Sequence, residues 1–216
     1  MTGDRPQTKQ VRKPGSVPTK QVRKPGSVPS DLDHLIVAAR TLEEGARWIE
    51  DELGAAPVAG GKHALMGTHN RLLALGGGRY LEVIAIDPEA PAPRRPRWLA
   101  LDDPAMRARL ARGPALIHWV ERTDDLDAAL RDYSRDVEIL SLGRGPYRWR
   151  IGVPRDGAIP GNGALPTLIQ WQGAHPAAAL PPSGVELVDF RHAGARLEAT
   201  FSSRRGTRTM TGSGAE

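Results

Sequence analysis

Two histidines open two similar stretches of this sequence. His34 begins "HLIVAARTL" and His118 begins "HWVERTDDL", and each stretch is an apolar run of strand length that leads into a helix-like segment. Further along each half, a strand-like run carries a polar residue: Glu82 in "RYLEVIAI" and Gln170 in "PTLIQWQG". Two imidazoles, one carboxylate and one amide oxygen can together hold a divalent metal ion and leave positions open for water or substrate.

The spacing of these residues is alike in the two halves: 48 residues separate the first histidine from Glu82, and 52 separate the second from Gln170. A carboxylate inside an apolar strand is costly to bury unless it is paired, hydrogen-bonded or bound to a metal. The alternative is a polar cleft without metal, in which the histidines are hydrogen-bonded and Glu82 forms an ion pair with Arg71 or Arg148. The amide of Gln170 would then satisfy backbone groups.

Other polar residues lie on neighbouring strand-like runs. Counting alternate positions places His63 and His69 on one face and Asn70 on the other, which favours Asn70 as the cleft residue. Arg148 alternates with Trp149 in "YRWRIGV". If Arg148 points into the cleft, the substrate is predicted to be an anion. If it points outward, it belongs to a solvated edge.

The elements that must position these residues follow the same order in each half. A strand is predicted first, then a helix, then two or three short strands separated by glycine-rich turns. The predicted ranges are a strand at 32–39, a helix at 41–54, strands within 60–88, a short helix at 103–113, a strand at 114–122, a helix at 123–137, and strands within 138–154 and 165–173. This is an internal repeat of whole supersecondary units. The predicted fold class is α+β, with two βαβββ modules forming a half-open, barrel-like sheet around a cleft, and an extra C-terminal strand segment.

At these motifs the chain resembles the vicinal oxygen chelate superfamily, and within it the glyoxalase-like branch. The resemblance covers about residues 31–176. It is carried by "LDHLIVAARTLEEGARWIEDELG", by "GT-x-N" at Gly67, Thr68 and Asn70 followed by "YLE", and by "LIQWQGAHP".

The resemblance implies a cleft enzyme of the lyase, isomerase or dioxygenase type. In active members a divalent metal (Zn, Ni, Mn or Fe) chelates vicinal oxygens and stabilises an oxyanion or enediolate, while a carboxylate moves a proton. By position, the resemblance implies metal ligands at His34, Glu82, His118 and Gln170, a catalytic role for Glu82, and substrate contacts from Asn70, Arg148 and Gln170. The chain departs from the pattern at Gln170, where glutamate is typical, and an amide is no base. The alternative function is a metal-free, non-catalytic protein that binds or sequesters a small molecule.

The rest of the chain is organised around this domain. Residues 8–18 and 19–29 are identical copies of "TKQVRKPGSVP", so 1–30 is predicted to be a disordered basic leader. Module one is predicted at 31–90 and module two at 114–176. A C-terminal extension packed on the domain is predicted at 177–203, and a disordered tail at 204–216.

Composition narrows the partners. The net charge of the whole chain is +5, but the leader alone carries +6, so the remaining residues sum to −1. Nucleic acid is therefore an unlikely partner except weakly through the leader. The absence of cysteine excludes disulfides and thiolate chemistry. No apolar run approaches the length of a membrane span, so the protein is predicted to be cytoplasmic. The resemblance implies a small molecule as its substrate or ligand. The sequence leaves open whether the two modules pair within one chain or across a homodimer.

Overall fold

The computed structural model describes residues 27–131, 133 and 136–214. The duplicated leader therefore lies, up to residue 26, outside the described residues. The first module contains β1 (Leu32–Ala38), α1 (Leu42–Leu53), β2 (Val58–His63), β3 (Thr68–Ala74) and β4 (Tyr80–Ile86). After the connecting helix α2 (Pro104–Ala111), the second module contains β5 (Ala115–Arg122), α3 (Leu126–Leu130), β6 (Val137–Arg144), β7 (Tyr147–Pro154) and β8 (Thr167–Trp171). The chain then forms β9 (Glu186–Ala193), β10 (Arg196–Ser203) and β11 (Gly206–Ser213).

Local sequence explains the helix that follows β1. Thr41 caps α1, because its hydroxyl accepts a hydrogen bond from the backbone N–H of Glu44. Gly54 ends the helix in the left-handed conformation (φ 73°), which costs a glycine little. The face between these caps buries Ile49 and Leu53 against the sheet.

Eight strands form one sheet in the order β2-β3-β4-β1-β5-β8-β7-β6. The two first strands of the modules, β1 and β5, lie antiparallel at its centre. Each pairs in parallel with the last strand of its own module, β1 with β4 and β5 with β8. The strands of module one are therefore related to those of module two by an approximate two-fold axis between β1 and β5. The predicted α+β fold of paired βαβββ modules is confirmed.

Each face of this sheet has its own core. On one face, α1 and the separate three-stranded sheet β11-β10-β9 cover buried side chains such as Trp119, Phe190 and Phe201. On the other, concave face, the connector between the modules packs Trp98 and Leu101 against the sheet. The concave face is thus partly filled, and only a narrow space remains for a ligand.

Two elements differ from the sequence predictions. Among the described residues of 123–137, the expected helix is found only as α3, at Leu126–Leu130. The prediction of a disordered tail over 204–216 is wrong for Gly206–Ser213, which form β11 and pair along their whole length with β10. Threonine-rich sequence suits an edge strand whose outer face meets solvent. Within the described part of the chain, no helix is long and apolar enough to cross a membrane.

Candidate functional site

A narrow cleft lies on the concave face of the eight-stranded sheet, and it consists of two adjoining pockets that share His34 and Glu82 in their walls. The apolar pocket, of about 40 Å³, has among its lining residues Ile36, Ile84, Val120, Ile151 and Val153. The polar pocket, of about 50 Å³, contains His34, His63, Asn70, Tyr80, Glu82 and Arg144. Volumes of this size admit only a few non-hydrogen atoms.

The centre of the cleft is a buried pair formed by His34 of β1 and Glu82 of β4. The parallel pairing of these strands places His34 Nε2 3.4 Å from Glu82 Oε2. Burial disfavours the charged form of each group, but the interactions within the pair and with its neighbours outweigh burial. They raise the pKa of His34 to about 9 and lower the pKa of Glu82 to about 2. At neutral pH the pair is therefore an imidazolium beside a carboxylate.

Asp33 holds the other side of the His34 ring. An irregularity in β1 between Leu32 and His34 lets adjacent residues approach each other, and Asp33 Oδ1 lies 2.7 Å from His34 Nδ1. Asp33 Oδ2 accepts hydrogen bonds at 3.0 Å from both Trp171 Nε1 and His175 Nε2. Burial opposes the ionisation of Asp33, but hydrogen bonds from His175 and His34 outweigh it and hold the pKa of this carboxyl well below its usual range.

Asn70 connects Glu82 to the outer part of the polar pocket. Its Nδ2 donates to Glu82 Oε1 at 2.6 Å, while its Oδ1 accepts from Arg144 at 3.2 Å and from the backbone N–H of Gly61 at 2.8 Å. The predicted placement of Asn70 in the cleft agrees with this geometry. Arg144, which sequence reasoning did not single out, also lies 3.4 Å from His63 Nε2.

His63 faces the same pocket as Asn70, whereas the sequence-based count of alternate positions placed the two on opposite faces. The count ran through the turn between β2 and β3, where alternation is not preserved. In the sheet, His63 pairs with Thr68, and Asn70 pairs with Gly61. Burial, offset in part by the charge of Glu82, lowers the pKa of His63 to about 4, so this ring is neutral.

His118 is fully buried, but its ring does not join the His34–Glu82 pair. His118 Nε2 accepts a hydrogen bond from the backbone N–H of Thr167 at 3.1 Å and lies 3.0 Å from Thr167 Oγ1. The neutral ring must then carry its proton on Nδ1, which has no hydrogen-bond partner among the described residues. Burial lowers the pKa of His118 to about 3.

The sheet register shows which residue is the counterpart of Glu82. Glu82 pairs with Ile36, two residues after His34, and Thr167 pairs with Val120, two residues after His118. Thr167, rather than Gln170, therefore stands in module two where Glu82 stands in module one. The spacing of 52 residues had suggested Gln170, but Thr167 lies 49 residues after His118, which is closer to the 48 residues that separate His34 from Glu82.

Gln170 and Arg148 are not brought to the cleft. Gln170 pairs with Arg150 across β7 and β8 and bonds to its guanidinium at 3.2 Å, on the face where Arg150 also meets Asp127. Arg148 is exposed and donates to the backbone carbonyls of Gly145 and Tyr147. The structure thus assembles His34, Glu82 and Asn70 from the predicted set and leaves Gln170 and Arg148 outside it.

The donors at the cleft do not fit a divalent metal site in this arrangement. His34 Nδ1 lies 2.7 Å from Asp33 Oδ1 and His34 Nε2 lies 3.4 Å from Glu82 Oε2, so in this arrangement both ring nitrogens face carboxylates. The free lone pair of His118 accepts a backbone N–H, and Gln170 lies on the other face of the sheet. Within the described ranges, no three His, Cys, Asp or Glu side chains are placed to share one ion.

Comparison with solved structures finds several similar chains. A methylmalonyl-CoA epimerase from Mycobacterium tuberculosis is 22% identical, with 69% of this chain and 92% of that chain covered and a TM-score of 0.42. A hypothetical protein from Staphylococcus aureus is 12% identical, with 84% of each chain covered and a TM-score of 0.48. A Streptomyces coelicolor methylmalonyl-CoA epimerase variant in complex with 2-nitronate-propionyl-CoA is 18% identical, with 67% of this chain and 98% of that chain covered and a TM-score of 0.41.

Comparison of sequences shows to which family the chain belongs. Among curated proteins, no sequence match to this chain is found. A family model described as a glyoxalase-like domain matches residues 32–205, which span both modules, the cleft and the first two strands of the C-terminal sheet. The expected resemblance to glyoxalase-like proteins is confirmed, and the chain belongs to the glyoxalase-like domain family.

Proposed function

We propose that this protein is a small-molecule enzyme that moves a proton at a carbon atom next to a carbonyl group. The observation that carries the proposal is the buried His34–Glu82 pair in the wall of both pockets, with an imidazolium and a carboxylate 3.4 Å apart. Perturbed, coupled titratable groups in a cleft are typical of sites that handle protons.

In the proposed reaction the two members of the pair have complementary roles. The Glu82 carboxylate takes the proton as the C–H bond breaks, and the bonding electrons move onto the carbonyl oxygen. The His34 imidazolium stabilises this oxyanion, and Asp33 keeps the ring oriented and charged. Return of the proton from Glu82 to the same carbon exchanges the hydrogen, and return to the opposite face of an intermediate that has turned in the cleft epimerises the carbon. Return to the adjacent carbon of an enediolate, with a proton passing between its two oxygens, isomerises the substrate. In each case the net charge is unchanged.

Because Glu82 is a weak base with a pKa of about 2, stabilisation of the oxyanion must supply much of the catalysis. His34 supplies it only while protonated. We therefore expect activity to be level through neutral pH and to fall as the pH rises through about 9, where His34 loses its proton. The pH profile of kcat, measured between neutral and alkaline pH, tests this expectation.

The reaction itself is tested by hydrogen–deuterium exchange. Dihydroxyacetone, methylglyoxal and small 2-oxo acids are incubated with the protein in D₂O, and loss of the C–H signal is followed by NMR. The wild type is expected to exchange at least one of them, and Glu82→Gln to lower the rate by about a hundredfold or more. Glu50→Gln, on the exposed face of α1, is the control. Equal rates in Glu82→Gln and wild type would refute the role of Glu82, and exchange no faster than without protein would favour the metal-free binding protein.

The divalent metal predicted from the sequence is tested separately. Zn, Ni, Mn and Fe(II) are offered to wild type, His34→Ala and His118→Ala, and the bound metal is measured. From the donor arrangement we expect that the wild type binds no metal in stoichiometric amount. Stoichiometric binding by the wild type that both variants lose would show that the donors rearrange around an ion. The proposed homodimer and cytoplasmic location are tested by light scattering and by fractionation of cells.

A further inference from the structure

Arg144, at the end of β6, lies in the polar pocket as a half-buried cation. Its Nη1 lies 3.2 Å from Asn70 Oδ1 and 3.4 Å from His63 Nε2, and both of these partners are neutral. No carboxylate within the described residues approaches its guanidinium to 4.0 Å. Arg144 therefore carries a positive charge that its immediate protein neighbours do not neutralise.

Other arginines of the same sheet and of the connector are arranged differently. Arg150 is bound by Asp127 at 2.7 Å, Arg95 by Glu138 at 3.1 Å, and Arg97 by Asp102 at 2.7 Å. In the cleft, the charges of His34 and Glu82 offset each other. An uncompensated guanidinium in a pocket of this kind favours a planar anion, because its fork of N–H donors matches a carboxylate.

We infer that Arg144 binds the carboxylate of the substrate, and that the substrate class is a small 2-oxo acid. This inference rests on the proposed function, since the carbonyl next to the carboxylate would lie towards His34 and the reacting carbon towards Glu82. The size of the pocket limits the class to its smallest members. A volume of about 50 Å³ is well below the roughly 150 Å³ of a protein cavity that holds benzene, and pyruvate has as many non-hydrogen atoms as benzene. The polar pocket would therefore enclose the carboxylate, and the rest of the substrate would extend past His34 and Glu82 towards the adjoining apolar pocket.

The test uses sodium pyruvate as the probe and its neutral analogue pyruvamide as the comparison. Trp98, Trp149 and Trp171 line the polar pocket, so binding is read from the intrinsic fluorescence of the protein. We expect pyruvate to bind the wild type at least about tenfold more tightly than pyruvamide does. Arg144→Gln is expected to lose this preference, and Arg144→Lys to retain part of it.

The matched control is Arg148→Gln, which removes the same charge from the same hairpin but from an exposed side chain that donates only to Gly145 and Tyr147. It is expected to bind pyruvate as the wild type does. The inference is overturned if pyruvamide binds as well as pyruvate, if Arg144→Gln and Arg148→Gln behave alike, if phosphate binds in place of carboxylates, or if the wild type binds no pyruvate at millimolar concentration.

Exchange measurements separate this inference from the proposed function. If pyruvate binding depends on Arg144 but the methyl protons of pyruvate do not exchange through Glu82, the proposed reaction fails while carboxylate binding by Arg144 is supported. If uncharged carbonyl compounds exchange through Glu82 but pyruvate binding does not depend on Arg144, carboxylate binding by Arg144 fails while the reaction is supported.

Discussion

At the scale of single residues, Asp33 is the polar group on which the cleft most depends. It is completely buried and accepts side-chain hydrogen bonds from three separate segments of the chain, through His34, Trp171 and His175. Arg122 adds an ion pair at 3.2 Å. A buried carboxylate with this many donors fixes both the position and the charge of the His34 ring.

The substitution Asp33→Asn is therefore expected to lower stability by about 3 kcal/mol, since it leaves buried cations without their counter-charge. It should also lower the pKa of His34 from about 9 towards its ordinary value. Urea unfolding measures the first effect, and NMR titration of the imidazole C–H signals measures the second. An unchanged His34 titration in Asp33→Asn would contradict the role given to Asp33.

The raised pKa of His34 predicts how stability changes with pH. The ring has a pKa of about 9 in the folded protein and 6.5 as the ordinary value. Its stabilising contribution is thus fully present below pH 6.5 and is lost as the pH rises through about 9. We expect urea unfolding to show a decrease of the order of 2–3 kcal/mol between these limits. His34→Gln should lack this decrease, and an equal decrease in both proteins would assign it to other groups.

The sequence indicated the polar residues that interrupt apolar strands. It did not indicate polar residues whose neighbours in sequence are also polar or lie near turns. His34, Glu82 and Asn70 stand out because a polar side chain in a buried strand needs a partner. Arg144 follows a glycine near a hairpin turn, where an exposed arginine is common and predicts no site. Asp33 precedes a histidine, and only the irregularity in β1 makes both face inward. The positions of Arg144 and Asp33 in the cleft depend on how the strands pair in the folded sheet, which the sequence does not show.

At the scale of elements, a pair of glycines in β2 makes room for the polar pocket. A Cβ atom at Gly60 would lie 2.1 Å from Asn70 Oδ1, and one at Gly61 would lie 2.5 Å from Arg144 Cδ. Side chains of any size in this part of β2 would thus displace the two residues that reach across it. The glycines of "GGKH" lie within a strand, β2, and leave space for these two side chains.

Gly61→Ala is expected to displace the Arg144 side chain and to weaken pyruvate binding by about tenfold, with little loss of stability, because a flexible side chain can move. Gly143→Ala is a matched control: its Cβ would press on Arg148 Cδ at 2.9 Å in the same way, outside the cleft. Fluorescence titration and thermal unfolding of the two variants make the comparison. Equal pyruvate affinities would show that Gly61 does not position Arg144.

Element boundaries were predictable where caps and periodicity agree. The Thr41 cap and Gly54 stop place α1 within one residue of its predicted limits, and the buried strands β1 and β5 were evident from their apolar runs. The tail was not predictable, because β11 has no apolar alternation. It is held in place by pairing with β10, by the burial of Met210, by packing of Gly212 on Leu116 of β5, and by a hydrogen bond from Arg109 to the carbonyl of Ser213.

At the scale of the whole molecule, the C-terminal sheet is a part of the core. Phe201 of β10 is fully buried in the same cluster as Trp119 of β5 and Leu35 of β1, on the face of the main sheet opposite the cleft. We expect Phe201→Ala to destabilise the protein by about 3–5 kcal/mol. Val188→Ala, at an exposed position on the neighbouring strand β9, should change stability by less than about 0.5 kcal/mol. Chemical denaturation compares the two variants, and similar losses would contradict a shared core.

The pairing of His118 with Thr167 at the position equivalent to His34 and Glu82 gives the two modules chemically different inner surfaces. Module one presents an ionisable pair, and module two presents a hydroxyl beside a neutral ring. A single substitution, Thr167→Glu, would place a carboxylate beside the second histidine. Module two is therefore a place where protein engineering could build a second ionisable pair while the first stays intact.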